Sequence, residues 1–217
     1  MAAIRKAELF RLVLEYFREH RPEAGTELHY HDPYQLAVAT ILSAQCTDKR
    51  VNLITPAFFV RFPDIHSLAV ADPTEVFSLI KSCSYPNNKT RNLIAMADRA
   101  VRDYGGVLPD TSEELQKLPG IGRKTANVLA SVLFERPVIA VDTHVFRVAA
   151  RIGLTTGARN PLQTEQQLTR HIPEEMRPVA HHWLILHGRY VCTARKPKCD
   201  ECGIRDLCRY FRSLRPA

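Results

Sequence analysis

The sequence predicts an all-α protein. Three observations carry that prediction: helix start signals recur along the 217 residues, alternating strand patterns are scarce, and the connections are short turns containing Pro or Gly. Apolar spacing and punctuation together place helices at about residues 4–19, 33–45, 49–61, 73–82, 89–104, 112–118, 123–134, 143–152, 162–171 and 176–190. Asp32-Pro33 and Asp72-Pro73 each set a capping carboxylate before a proline at the first helical position. Thr111-x-x-Glu114 reads as a capping box. From Leu36 to Ala44 the chain is apolar nearly all round, the mark of a central buried helix. Ala126, Leu129, Val132 and Leu133 form the inner face of one later helix, and Val145, Val148, Ala149 and Ile152 that of the next. No internal repeat or linker interrupts the series.

Composition excludes several classes. Hydrophobic residues at 45% and charged residues at 24% rule out disordered and fibrous chains. The longest uncharged stretch, Pro33 to Thr47, includes Gln35, Thr40, Ser43 and Gln45 and falls short of the ~20 apolar residues of a membrane span. The N-terminal segment carries Arg5, Lys6, Glu8 and Arg11 with no apolar block ahead of them, and its glutamates argue against a transit peptide, so a cytoplasmic location is expected. The net charge of +7 is modest, but from Arg189 to Ala217 eight cations, Arg215 among them, face three anions. A local basic patch of this kind is either a solvated face or the electrostatic footprint of phosphate binding.

Four of the six cysteines lie close together as Cys192-x6-Cys199-x2-Cys202-x5-Cys208. Disulfides do not suit a reducing compartment. Four-cysteine zinc sites usually show two close pairs, and only one is present; spacings of six, two and five suit a loop wrapped round a [4Fe–4S] cube, though spacing by itself leaves zinc open. Cys46 and Cys83 stand apart and read as buried apolar residues.

The turn Leu118-Pro119-Gly120-Ile121-Gly122-Arg123-Lys124-Thr125-Ala126 joins two helices through glycines that permit positive φ and close backbone approach. With a basic residue and an apolar helix after it, it becomes a helix-hairpin-helix, a device that grips nucleic-acid backbone through amides at a helix start. Lys124 falls in the first helical turn, where the positive dipole end disfavours an ammonium and favours the neutral, nucleophilic amine that Schiff-base chemistry needs. A solvent-facing or phosphate-contacting lysine is the commoner role of this residue type. Asp142 follows the apolar run Val138 to Val141 and reads as an N-cap; a carboxylate fixed there can also stabilise positive charge developing on a sugar. His144 is ambiguous between a phosphate contact and a local hydrogen bond, while His181, His182 and His187 read as packing residues.

Three segments, L-P-G-I-G-R-K-T-A-N, V-D-T-H-V-F-R-V and H-H-W-L-I-L-H-G-R-Y-x-C-x6-C-x2-C-x5-C, resemble the endonuclease III family in order, as does Leu42-Ser43-Ala44-Gln45-x-Thr47-Asp48. The resemblance spans nearly the whole chain. It implies a helix-hairpin-helix DNA glycosylase fold, with a six-helix barrel at about residues 26–136 and an iron–sulfur cluster domain made of residues 1–25 and 137–217. It implies one [4Fe–4S] cluster on Cys192, Cys199, Cys202 and Cys208, and a bifunctional DNA glycosylase and AP lyase that removes oxidised pyrimidines from double-stranded DNA and also acts at abasic sites. Carried over by position, Lys124 is the nucleophile and Asp142 the catalytic aspartate. Gln45, Tyr85, Leu118, Gly120, Gly122, His144, Arg195, Lys196 and Lys198 are the DNA-binding set. A monomer with no membrane association, in a bacterial-type cytoplasm at the nucleoid, completes the expectation. The chain departs from the family in Ser84-Tyr85-Pro86-Asn87-Asn88-Lys89, where members usually carry Gly-Leu-Tyr-Asn before a lysine. Tyr85 takes the place of the leucine that wedges into the gap, with Pro86 expected to hold it extended. A monofunctional adenine-type glycosylase, or a non-catalytic iron–sulfur DNA-binding module, are the competing readings; Lys124, which the adenine-type relatives usually lack, speaks against the first, and retention of both Lys124 and Asp142 against the second.

Overall fold

The computed structural model describes residues 4–214; Arg215, counted in the basic tail, lies outside them. Among the described residues there is no strand. The helices are α1 (Lys6–His20), α2 (Pro33–Ser43), α3 (Asp48–Arg61), α4 (Ile65–Ala69), α5 (Pro73–Ile80), α6 (Pro86–Tyr104), α7 (Ser112–Leu115), α8 (Arg123–Phe134), α9 (Thr143–Ile152), α10 (Pro161–Thr169), α11 (Arg177–Tyr190) and α12 (Arg209–Leu214). None is long and apolar enough to cross a membrane. The chain divides into two compact units, Glu27–Arg136 and the flanking segments Met1–Thr26 and Pro137–Ala217.

In Glu27–Arg136, α2 is the central helix and packs on α3, α6 and α8. Its start is fixed by Asp32, whose carboxylate accepts from the Gln35 amide at 2.8 Å with Pro33 behind it. Leu36, Ala37, Val38, Ala39 and Leu42 are wholly buried, so this helix is apolar all round because it has neighbours all round. Asp72 caps α5 through the Thr74 amide at 2.7 Å. Thr111 caps α7 through the Glu114 amide, but the Glu114 carboxylate turns to the Tyr104 hydroxyl and Lys117, so only half of the expected box forms. Helix α4 has no counterpart in the sequence reading. Its capping box, Asp64 with Ser67, is complete, yet five residues are too few to display a helical period.

The other unit is built round α9, which packs on α10, α11 and α12. Leu9, Phe10, Val13 and Phe17 of α1 meet Val145, Val148 and Ile152 of α9 and Trp183 and Leu184 of α11 in one core. The indole N–H of Trp183 donates to the Arg21 carbonyl at 2.8 Å and closes the end of α1. Tyr16 of the same helix lies against Gly203, where any Cβ would land on its ring. Helix α12, absent from the sequence reading, is held by the Arg151 guanidinium 4.7 Å over the Tyr210 ring.

Candidate active site and metal centre

Helices α7 and α8 meet in the hairpin Leu118 to Gly122. Its two glycines do different things. Gly120 has φ +78°, and a Cβ there would sit 2.7 Å from Cβ of Asn92, so both its backbone and its surroundings require glycine. Gly122 has φ −84° and nothing within 4 Å of a Cβ. It is the N-cap of α8 without a side-chain cap, which leaves the helix start open for close approach by an anion. Leu118 is 1% exposed, its amide donates to the Leu115 carbonyl and its carbonyl accepts from the Ile121 amide, so its side chain anchors the hairpin from inside. Lys124 is exposed on the first turn of α8, beside that open end.

Asp142 caps α9, its Oδ1 accepting from the Val145 amide at 2.8 Å. Further along, two arginines that the sequence reading passed over tie the same helix to the cysteine segment. Arg147 donates to the carbonyls of Gly188 at 2.8 Å and Cys192 at 3.2 Å and lies 3.2 Å from Nδ1 of His144. Arg151 donates to the carbonyls of Thr193 and Ala194 and approaches Sγ of Cys192 at 3.5 Å. Their spacing of four on the Asp142 helix was the available signal.

Cys192, Cys199, Cys202 and Cys208 line one cavity together with Ile152, His187, Ile204 and Tyr210. Four thiols lining one cavity are the donor set that a [4Fe–4S] cluster requires, one thiolate for each iron. His187 is buried, and burial pushes its imidazole down to about 4, so it stays neutral at physiological pH, packed edge-on against Phe17. His181 and His182 are buried as well. Arg195, Lys196 and Lys198 are all exposed, on a loop shaped by the Thr193 hydroxyl donating to the Lys196 carbonyl at 2.6 Å.

Gln45 and Tyr85 are exposed and share an uncommon backbone, both with φ +55°. The expected extended Tyr85 is corrected. Pro86 excludes the right-handed region for its predecessor, and the chain takes the left-handed one, φ 55° and ψ 49°. Pro86 is then the first residue of α6, which therefore starts three residues before its expected position. Cys46 is corrected too: it is only part-buried, with its Sγ 3.6 Å from that of buried Cys83.

Residues 38–174 match the HhH-GPD superfamily of base excision DNA repair proteins, and residues 192–208 match the iron–sulfur binding domain of endonuclease III. The chain is 44% identical to endonuclease III of Rickettsia felis over 96% of its own length and 97% of the relative's. The chain belongs to the endonuclease III family. The family protein of Escherichia coli K12 is 40% identical over 91% of this chain and 93% of its own. A solved trapped endonuclease III–DNA covalent intermediate aligns with a TM-score of 0.91 at 38% identity, covering 97% of this chain and 99% of that one. A thermostable thymine-DNA glycosylase, at 23% identity and a TM-score of 0.84, shares the fold. With the iron–sulfur domain of endonuclease III comes its cofactor, a [4Fe–4S] cluster.

Proposed function

We propose that Lys124 is the nucleophile and Asp142 the charge-stabilising carboxylate of a bifunctional DNA glycosylase and AP lyase that removes oxidised pyrimidines from duplex DNA. The observation that carries this reading is Lys124 itself: an exposed amine on the first turn of a helix whose start is an uncapped glycine. A flipped nucleotide brings C1′ to the Lys124 amine, which attacks as the base leaves. Asp142, its orientation fixed by the Val145 amide, stabilises the oxocarbenium character of the sugar. The C1′–O4′ bond then opens, O4′ taking up a proton, and leaves an imine on Lys124 that acidifies the C2′ proton; loss of that proton expels the 3′ phosphate and breaks the strand on the 3′ side.

Cys192, Cys199, Cys202 and Cys208 would hold the cluster, which supplies a rigid centre for the loop bearing Arg195, Lys196 and Lys198. That loop, the open α8 start and His144 are assigned to the DNA backbone, Gln45 and Tyr85 to the gap left by the flipped nucleotide. Glu27–Arg136 corresponds to the barrel domain in this reading, and the flanking segments to the cluster domain. Relatives in bacteria support a place at the nucleoid in the cytoplasm.

Borohydride trapping on a duplex containing thymine glycol tests the assignment. The wild-type chain gives a covalent adduct and Lys124→Ala gives none; an undiminished adduct from the variant, or none from the wild type, rejects it.

A further inference from the structure

Gln45 follows the end of α2, and Tyr85 precedes the start of α6. The structure joins these two loops through a buried lysine that the reaction does not use. Lys89, 5% exposed, lies on the first turn of α6. Its amide donates to the Tyr85 carbonyl at 3.1 Å, and its ammonium donates to the carbonyls of Leu42 and Ala44, each at 2.7 Å. These carbonyls belong to the last turn and cap of α2, where a positive charge is favoured. Beside it, the Ser84 hydroxyl donates to the Gln45 carbonyl, and the thiols of Cys46 and Cys83 are in contact.

A left-handed backbone is costly for residues other than glycine and persists only where the surroundings over-determine it. Here the carbonyl before Gln45 and the carbonyl of Tyr85 are bound by one residue, and the carbonyl of Gln45 by the neighbour of Tyr85. We propose that Lys89 is a positioning residue that holds Gln45 and Tyr85 as one pre-assembled two-pronged element, so that both enter the duplex gap together. Loops whose backbone is fixed before binding have less conformational freedom to lose on insertion. The inference rests on the assignment of Gln45 and Tyr85 to the gap.

Single-turnover base release from thymine glycol, in duplex and in the same strand unpaired, tests it. Lys89→Met keeps the apolar stem and removes the ammonium. The duplex rate should fall on the order of tenfold, with the single-strand rate nearly unchanged. A merely structural lysine would lower both rates alike, which overturns the proposal. In a Gln45→Ala background, Lys89→Met should cost clearly less than in the wild type, only what the Tyr85 prong then loses; fully additive losses overturn it as well. Ser84→Ala leaves the buried amine in place and should lower the duplex rate in the same direction by less. If Lys89→Met does not fold and Ser84→Ala leaves the duplex-to-single-strand ratio unchanged, the proposal fails. If Gln45→Ala alone leaves that ratio unchanged, the gap assignment itself fails, and the proposal with it.

Discussion

Oδ1 of Asp142 accepts the amide of Val145 at 2.8 Å, so one carboxylate both starts α9 and carries the proposed chemistry. The two duties are separable. Asp142→Asn retains a capping oxygen and should unfold within a few tenths of a kcal/mol of wild type, while Asp142→Ala should lose about 1 kcal/mol. Both should lose most single-turnover base release. Thermal unfolding set beside kinetics checks the split; full activity in the asparagine variant would remove Asp142 from the mechanism.

The hairpin glycines should part in the same manner. Gly120→Ala forces a Cβ onto Asn92 at a left-handed position and should cost ~1–2 kcal/mol or more of stability. Gly122→Ala meets nothing and should fold normally. Its added methyl stands at the open start of α8, so DNA affinity should weaken while stability falls by only about 0.5 kcal/mol, the difference between glycine and alanine at an N-cap. Unfolding and titration of each variant with abasic-site duplex decide the matter.

Tyr85 is 68% exposed and has no side-chain capping bond, which leaves its ring available to stack on a base at ~1–3 kcal/mol. Tyr85→Ala should slow base removal from duplex far more than from single strands, and Tyr85→Leu should lie between the two. Tyr85→Gly should relieve the left-handed backbone and raise thermal stability while losing duplex activity just as alanine does. Equal losses on both substrates would make the ring a loop support.

Neutralising Arg195, Lys196 and Lys198 together should flatten the log–log salt dependence of duplex binding by ~0.9 for each phosphate left without its cation. Iron and visible absorbance should stay at wild-type level, since all three side chains are exposed and none supplies a thiolate. An unchanged slope would move the DNA off this loop.

Local chemistry was readable in the sequence where it is decided locally. Asp32 and Asp72 announce their helices because carboxylate, proline and amide lie within three residues of one another. The cysteine quartet is legible because its four ligands share one short segment. The backbone of Tyr85 was not legible: the rule for a residue before proline excludes one region, and the choice among the others is made by Lys89 and Ser84 reaching a loop about forty residues away. Lys89 was visible as the lysine that closes the loop motif, but not its burial against α2, since lysines are by default exposed. That the Leu118 side chain points inward was not legible either, because sequence order does not show which residues of a tight turn face the core.

The contact of Tyr16 with Gly203 also bears on how the protein is made. One compact unit is stitched from the first and last parts of the chain, whereas Glu27–Arg136 is continuous. On a ribosome adding ~5–20 residues per second, α1 emerges on the order of ten seconds before α9 exists to receive it. Throughout that interval Leu9, Phe10, Val13 and Phe17 have no partner, while the continuous segment can already collapse on its own. The cysteine segment is synthesised later still, so the four thiols that would hold the cluster come together only after α9 and α11 have given α1 its core.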